Sequence, residues 1–222
     1  MRDESCGGQQ LRQRSGLAAS AILDACDGST ITFANTVASP ITLSAELAID
    51  KNLTIQGPGA NLFTISGNNS VRVFNIGSVN PAINVTLSGL GILNGNPGLN
   101  QPGGGVLDNS TGTLNVINAI ISGNTAFDVF NREAGGGIYH ASTGTMNVTN
   151  SIVSGNTVFT SRGGGIFNGP GTLVVTNSTL SGNSALLGGA ILNEGGTVSV
   201  AYSNISGNPV EAVGGGLGRR YW

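Results

Sequence analysis

Two short motifs repeat in the second half of the chain, and they constrain its fold more than any other feature. A run of two or three glycines opens each unit, and a Ser-Gly-Asn triplet follows in the first four units. The runs begin at Gly103, Gly135, Gly163, Gly188 and Gly214, and the triplets begin at Ser122, Ser154, Ser181 and Ser206. The step from run to triplet is 19, 19, 18 and 18 residues, whereas the step from triplet to the next run is 13, 9, 7 and 8. Alternation of a constant segment with a variable one is typical of solenoids whose insertions form loops on one side.

The constant segment has the two-residue alternation of β-strands. Met146 and Val148 alternate with polar residues, and the neighbouring units carry the pairs Leu114/Val116, Leu173/Val175 and Val198/Val200. Two further short strands per unit are predicted around the positions of Ile121 and Val106. Strands this short bury their apolar faces only by stacking on equivalent strands about 4.8 Å above and below.

Less regular segments upstream alternate in the same way. They are Thr30–Phe33, Ile41–Leu43, Leu53–Ile55, Phe63–Ile65, Val71–Phe74 and Val85–Leu87. Gly, Pro or Asn residues separate them, as expected for short strands joined by turns. The sequence therefore predicts an all-β chain that forms a right-handed parallel β-helix of roughly eight turns.

The N-terminal segment differs from the repeats. Leu17, Ala18, Ala21, Ile22 and Ala25 fit one face of a short helix, which we expect to cap the first turn because an open solenoid end is an unpaired strand edge. The predicted division is a cap segment over residues 1–28 and a β-helix over 29–222, with regular repeats from about residue 103.

The two cysteines and the start of the chain bear on the compartment. Cys6 and Cys26 would form one disulfide in an oxidising compartment and two free thiols elsewhere, and the sequence leaves both states open. Met1–Glu4 leads into polar residues rather than into an apolar segment, so no signal peptide is visible.

Polar residues at equivalent positions predict columns that run along the solenoid. Asn124, Asn156, Asn183 and Asn208 are expected to form a hydrogen-bonded ladder with left-handed backbone geometry. A second column holds Asn118, Asn150 and Asn177 and ends at Tyr202. A third holds Asp108, His140, Asn168 and Asn193, and it is expected to be a solvated polar stack.

The composition excludes several classes of protein. Charged residues make up 9% of the chain, and 9 Lys and Arg against 11 Asp and Glu form no basic stripe for a nucleic acid. A hydrophobic content of 39% argues against a disordered chain. No run of about 18 apolar residues is present, so no membrane span is expected.

Several segments resemble a known class of bacterial protein. Leu11–Gln13, Ala21–Ala25, Thr30–Phe33 and Ile49–Ala60 are similar to right-handed parallel β-helix proteins with a CSLREA-type N-terminus. Gly188–Ile191 and its Gly-Gly-Gly-Ile relatives resemble the repeats of polymorphic outer membrane proteins. The resemblance implies a secreted or cell-surface protein. We predict a non-catalytic scaffold that is adhesin-like or binds glycans through loops on one side. This chain departs from the pattern at Cys6–Gly8, where the family has a Cys-Ser-Leu run.

Enzymatic activity is the less favoured interpretation. Glycoside hydrolysis needs two carboxylates roughly 5–9.5 Å apart, and Asp108 has only His140, Asn168 and Asn193 in its column. His140, the single histidine, has no second metal ligand near it in the pattern. We expect no cofactor and no metal, and a polysaccharide lyase or hydrolase of pectate-lyase-like fold is kept as the alternative.

The variable loops are the predicted place for recognition. The candidate ligand-binding residues are Phe127, Phe130, Arg132, Phe159 and Arg162, which would form an aromatic and cationic patch for a polysaccharide or a cell-surface ligand. The competing interpretation is that the phenylalanines fold back over the repeats as a small satellite core.

A third functional class is ice binding through a flat threonine-bearing face. Its candidate residues are Thr113, Thr145, Thr149, Thr172, Thr176 and Thr197. Irregular rows such as Thr-Asn-Ile and Thr-Ser-Ala, read at alternate positions, argue against it.

The repeat that begins at Gly214 stops at Trp222, before its inward strand. We therefore expect either that the chain is a fragment of a longer array or that it self-associates end to end through its last turn.

Overall fold

The chain is a parallel β-helix, as a computed structural model shows. The structure describes residues 10–11, 17–33, 38–77, 79, 81–128, 134–213 and 217–220. Each regular turn supplies one short strand to each of three parallel sheets, so the predicted all-β solenoid is confirmed. The one helix in these ranges, α1 (Leu17–Asp24), lies where the sequence predicts a helical cap. No helix among the described residues is both long and apolar enough to span a membrane.

Strands are numbered in chain order, and eight of those in the described ranges form sheet A. In spatial order they are β1 (Gln10–Leu11), β2 (Ser29–Phe33), β5 (Leu53–Gln56), β8 (Val85–Ser88), β11 (Thr113–Ile117), β15 (Thr145–Thr149), β19 (Thr172–Thr176) and β23 (Thr197–Ala201). Strand β1, which no sequence signal predicts, extends this sheet beyond the first turn by pairing with β2.

Sheets B and C each hold seven strands of the described part of the chain. Sheet B contains β3 (Ile41–Thr42), β6 (Thr64–Ser66), β9 (Gly91–Leu93), β12 (Ile120–Ser122), β16 (Ile152–Ser154), β20 (Thr179–Ser181) and β24 (Asn204–Ser206). Sheet C contains β4 (Leu47–Ile49), β7 (Phe74–Ile76), β10 (Val106–Asp108), β14 (Ile138–His140), β18 (Ile166–Asn168), β22 (Ile191–Glu194) and β26 (Leu217–Arg220).

Four further strands lie between sheet B and the next strand of sheet C, and we call them the lateral strands. They are β13 (Thr125–Phe127), β17 (Thr157–Phe159), β21 (Ala185–Leu187) and β25 (Val210–Val213). β13 pairs with β17 and β21 with β25, and a bridge from Thr157 to Ser184 joins the two pairs. The variable segment of each unit therefore begins as a strand.

The core fills the interior of the solenoid with aliphatic side chains. Leu114, Val116, Met146 and Val148 are fully buried, as the alternation in the repeats predicts. The expected strand over residues 71–74 is wrong, because β7 begins only at Phe74 and Arg72 is itself buried.

The Asn124 column forms the expected ladder inside the solenoid. Asn124, Asn156 and Asn183 each donate from Nδ2 to Oδ1 of the next asparagine at 2.9 Å, and their side chains are fully buried. The expected left-handed backbone falls one residue earlier, on glycines such as Gly123. The left-handed asparagines belong to the second column, where Asn118, Asn150, Asn177 and also Tyr202 have φ angles near +50°.

Helix α1 closes the N-terminal end of the core. Ala21 and Ile22 are buried in it, and Lys51 Nζ donates to the carbonyls of Leu23 and Ala25, which satisfies groups at the end of the helix. Cys26, just after the helix, is disulfide-bonded. Cys6 is the only other cysteine of the chain, and it lies outside the described residues.

The last complete turn is more exposed than the turns before it. Strand β23 is the final strand of sheet A, and its inward residue Val200 is 38% exposed, whereas the equivalent Val175 is fully buried. The glycines 214–216 and the residues 221–222 lie outside the described part of the chain. End-to-end association through this turn stays a prediction.

Candidate functional site

The lateral strands present an apolar column to solvent. Phe127 and Phe159 are partners in β13 and β17, and their ring centroids lie 6.0 Å apart with an interplanar angle of 47°. Leu99 pairs with Phe127 on the other side, so three successive turns contribute one apolar side chain each. Leu99 is 68% exposed and Phe159 is 52% exposed. These positions show that Phe159 does not fold back into a satellite core.

A column of hydroxyl groups runs beside the apolar one. Thr125, Thr157 and Ser184 pair with one another in successive turns, and Thr125 and Thr157 lie two residues before the phenylalanines. Residues two apart in a strand share a face and are about 6.6 Å apart. We define the lateral surface as the apolar and hydroxyl columns together, namely Leu99, Phe127, Phe159, Thr125, Thr157 and Ser184.

The opposite side of the lateral strands anchors the surface to the solenoid. Ala126, Val158 and Ala185 alternate with the exposed residues, are almost fully buried and form a small apolar cluster with Ala134. Alanine and valine make this cluster, whereas the competing interpretation placed the phenylalanines in it. Phe127 and Phe159 remain on the outer face of the lateral strands.

A bulge holds Phe159 outward. Thr157 pairs with Ser184 and Arg162 with Leu187, so a step of five residues in one turn is matched by a step of three in the next. The two extra residues are accommodated around Phe159 and Thr160. Thr160 has a φ angle of 62°, which is rare for a β-branched residue, and its Oγ1 donates to the carbonyl of Asp128 at 2.9 Å. Bulges and strained residues of this kind re-aim side chains and concentrate at functional sites.

Arg162 does not extend the surface as an exposed cation. Its side chain is 11% exposed, and its Nη1 lies 3.9 Å from Glu194 Oε2. Phe130 and Arg132, the remaining predicted ligand-binding residues, lie outside the described residues. Of the five candidates, the structure thus brings Phe127 and Phe159 together and places Arg162 beside Glu194.

The third polar column is buried, so the expectation of a solvated stack is wrong. Asp108 and His140 are both 0% exposed, and Asp108 Oδ2 lies 2.7 Å from His140 Nδ1. His140 Nε2 lies 3.1 Å from the carbonyl oxygen of Gly144, and Asp108 Oδ1 accepts from the Ser110 N–H at 3.0 Å.

In the next turns Asn168 and Asn193 make the equivalent bonds to the carbonyls of Gly171 and Gly196. These side chains close corners of the solenoid and are inaccessible to a substrate.

The sequence does not predict that the side chain of Arg72 is buried. Arg72 donates to Glu46 Oε2 at 2.5 Å and to the carbonyls of Pro102 and Gly103, which ties two loops together. Burial lowers the pKa of the Arg72 guanidinium, and the neighbouring Glu46 opposes that shift. Asn75 donates to the other Glu46 oxygen at 2.7 Å. This carboxylate is therefore engaged in structure.

No group of three or more potential metal ligands occurs within the described ranges. The carboxylates Asp27 and Asp50 accept from Asn52 and from the Val79 N–H, respectively. These two carboxylates therefore serve as hydrogen-bond acceptors for backbone and amide N–H groups.

The threonine columns lie on the outer face of sheet A. Thr113, Thr145, Thr172 and Thr197 are in register, and Thr149 aligns with Thr176. Between these columns, Asn147 donates to Asn115 at 2.9 Å. Part of the polar surface of this face is therefore bonded to itself.

Comparisons of the chain with protein-family models, with curated proteins and with solved structures find no match. The resemblance to CSLREA-type and polymorphic outer membrane proteins stays a prediction.

Proposed function

We propose that this protein is a non-catalytic scaffold, secreted or displayed on a cell surface, that binds glycans through its lateral surface. The observation that carries the proposal is the exposure of Phe159, beside Phe127, on a bulge that contains the strained Thr160. Exposed apolar side chains that adjoin one another often mark a binding site, so this arrangement supports a binding role.

The chemistry of the lateral surface supports a sugar ligand. Aromatic rings pack against the apolar faces of sugar rings, and the neighbouring hydroxyl groups of Thr125 and Thr157 can donate to and accept from sugar hydroxyls. The disulfide bond of Cys26 supports an oxidising compartment, which agrees with secretion.

A glycan array tests the proposal directly. The wild-type chain is compared with a Phe127→Ala/Phe159→Ala variant and with Ile152→Ala, a matched control that removes an exposed apolar side chain, 42% exposed, from sheet B. We expect the double variant to lose binding and the control to keep it. Absence of binding by the wild type, or equal binding by the double variant, would contradict the proposal.

Two other assays address the alternative functions. Release of reducing ends or unsaturated products from pectin and related polysaccharides would favour a lyase or hydrolase. Inhibition of ice recrystallisation that is lost in Thr145→Asn or Thr172→Asn would favour ice binding through sheet A.

A further inference from the structure

The apolar column of the lateral surface runs along the solenoid axis rather than across it. Leu99, Phe127 and Phe159 come from three successive turns, and each pairs with the next. The hydroxyl column of Thr125, Thr157 and Ser184 is parallel to it. A ligand that contacts both columns over their full length must be extended and must repeat its own chemistry from turn to turn.

The lateral surface carries no exposed charge among its described residues. Within the described ranges, the charged neighbours are Asp128, which is 4% exposed, and Arg162, whose side chain lies beside Glu194. Recognition of an acidic chain depends on cations that face the ligand, usually arginines in bidentate contact. The described surface therefore fits an uncharged ligand better than a uronate or a sulfated chain.

The width of the apolar column argues against a folded protein as ligand. It is one side chain wide, whereas a stable protein–protein interface buries about 800 Å² on each partner around a central apolar cluster. A narrow column flanked by hydroxyls matches a linear polymer with apolar faces and hydroxyl edges.

We infer that the ligand is a neutral, linear glycan that lies along the solenoid axis, with successive sugar units stacked on successive turns. This inference rests on the proposed function, because it specifies the ligand of the same surface. The 6.0 Å between the two phenylalanine rings is of the order of one hexose unit, so adjacent rings would serve adjacent sugars. A chain of three to four units would cover the column from Leu99 to Phe159.

The test is isothermal titration of the full chain with cello-oligosaccharides of two to six glucose units and with oligogalacturonates of the same lengths. We expect affinity for the neutral series to rise with length and to level off at three to four units. We expect the acidic series to bind at least tenfold more weakly. Preference for the acidic series, or affinity that does not change with length, would overturn the inference.

Single variants locate the sugar units. Phe159→Ala should weaken binding of the tetramer about tenfold, which corresponds to the loss of one well-packed contact. It should also shorten the length at which affinity levels off, whereas Ile152→Ala should change neither property. If the protein binds a glycan on the array but binds neither oligosaccharide series, this inference is overturned while the proposed function stands. If the protein binds no glycan at all, both are overturned.

Discussion

The buried Asp108–His140 pair gives the sharpest test of how the turns are held together. Both ring nitrogens of His140 face oxygen atoms, since Nδ1 is 2.7 Å from Asp108 Oδ2 and Nε2 is 3.1 Å from the Gly144 carbonyl. The carbonyl can only accept, so a hydrogen bond at Nε2 requires a proton on that nitrogen, and a hydrogen bond between Nδ1 and the carboxyl group requires one more proton between those two atoms. The substitution His140→Ala leaves the Asp108 carboxyl buried without this partner.

The size of the effect follows from complete burial. Both side chains are 0% exposed, and removing one member of a buried pair costs about 3–5 kcal/mol. For a chain of this length each kcal/mol lowers the Tm by about 2–4 °C. His140→Ala should therefore lower the Tm by about 6–20 °C.

The isosteric variant Asp108→Asn should behave differently. The amide nitrogen that this substitution introduces can donate to an unprotonated Nδ1 of His140, while Nε2–H still donates to the Gly144 carbonyl. The amide oxygen can still accept from the Ser110 N–H, so every polar group keeps a partner. The expected cost is no more than about 1 kcal/mol.

The assay is guanidinium or thermal unfolding of four proteins, namely wild type, each single variant and the double variant, followed by circular dichroism. In the Asp108→Asn background, His140→Ala should cost only about 1–3 kcal/mol, because a neutral amide replaces the carboxyl. A Tm within about 2 °C of wild type for His140→Ala would refute burial of the pair, since even the smallest expected loss exceeds that shift. Equal losses for Asp108→Asn and His140→Ala would refute the proton arrangement.

Three further predictions concern the ladder, a strained turn and the cap. Asn183→Ala removes four hydrogen bonds from the buried ladder and should cost roughly 3 kcal/mol in urea unfolding, whereas Asn177→Gly in the exposed column should cost less than about 1 kcal/mol. Tyr202→Asn should raise stability by about 1 kcal/mol in the same assay, because asparagine tolerates the left-handed φ of 53° better than tyrosine; a loss would mean that the exposed ring makes a stabilising contact. The side-chain hydrogen bond from Asn52 lowers the pKa of Asp27. The contribution of ionised Asp27 to folding stability is therefore present above the unfolded pKa of about 3.9 and is lost as pH falls through the lower folded value. An NMR titration of the Asn52 amide should show a midpoint below about 3.9, and a midpoint at or above that value would contradict the assignment.

The sequence predicts the turns because each turn repeats the same local rules. Gly and Ser-Gly-Asn motifs mark the corners, and alternation around Met146 and Val148 marks the inward positions. Equivalent positions such as Thr113 and Thr145 are then in register in the structure. Repetition makes the register readable because one shift would turn every apolar residue outward.

Burial of the polar corner could not be read from residue type alone. Asp108 and His140 look like solvated residues, and only their pairing across 32 residues makes burial tolerable. A signal was present, because the turn after His140 reaches β15 one residue later than the turn after Asn168 reaches β19. The longer imidazole spans that longer corner to Gly144, whereas asparagine bonds a carbonyl three residues on.

The candidate site was predictable in its location but not in its composition. Loop lengths indicated the variable side, and Phe127 and Phe159 were predicted to lie in one patch. The outward bulge at Thr160 and the burial of Arg162 depend on a mismatch between neighbouring turns, which single-chain periodicity does not reveal. The burial of Arg72 was not predicted, because the alternation placed this residue in a strand. The partner that matches its charge, Glu46, lies in another loop.

The most direct test of glycan binding at the lateral surface is to map a bound glycan by NMR on the isotope-labelled chain. Cellohexaose should shift the amide signals of residues 99–101, 125–127 and 157–160 in a continuous line across three turns, and it should leave the signals of sheet A unchanged. Shifts centred on Thr145 and Thr172, or saturation with no shift at the lateral strands, would contradict the assignment of the lateral surface as the binding site.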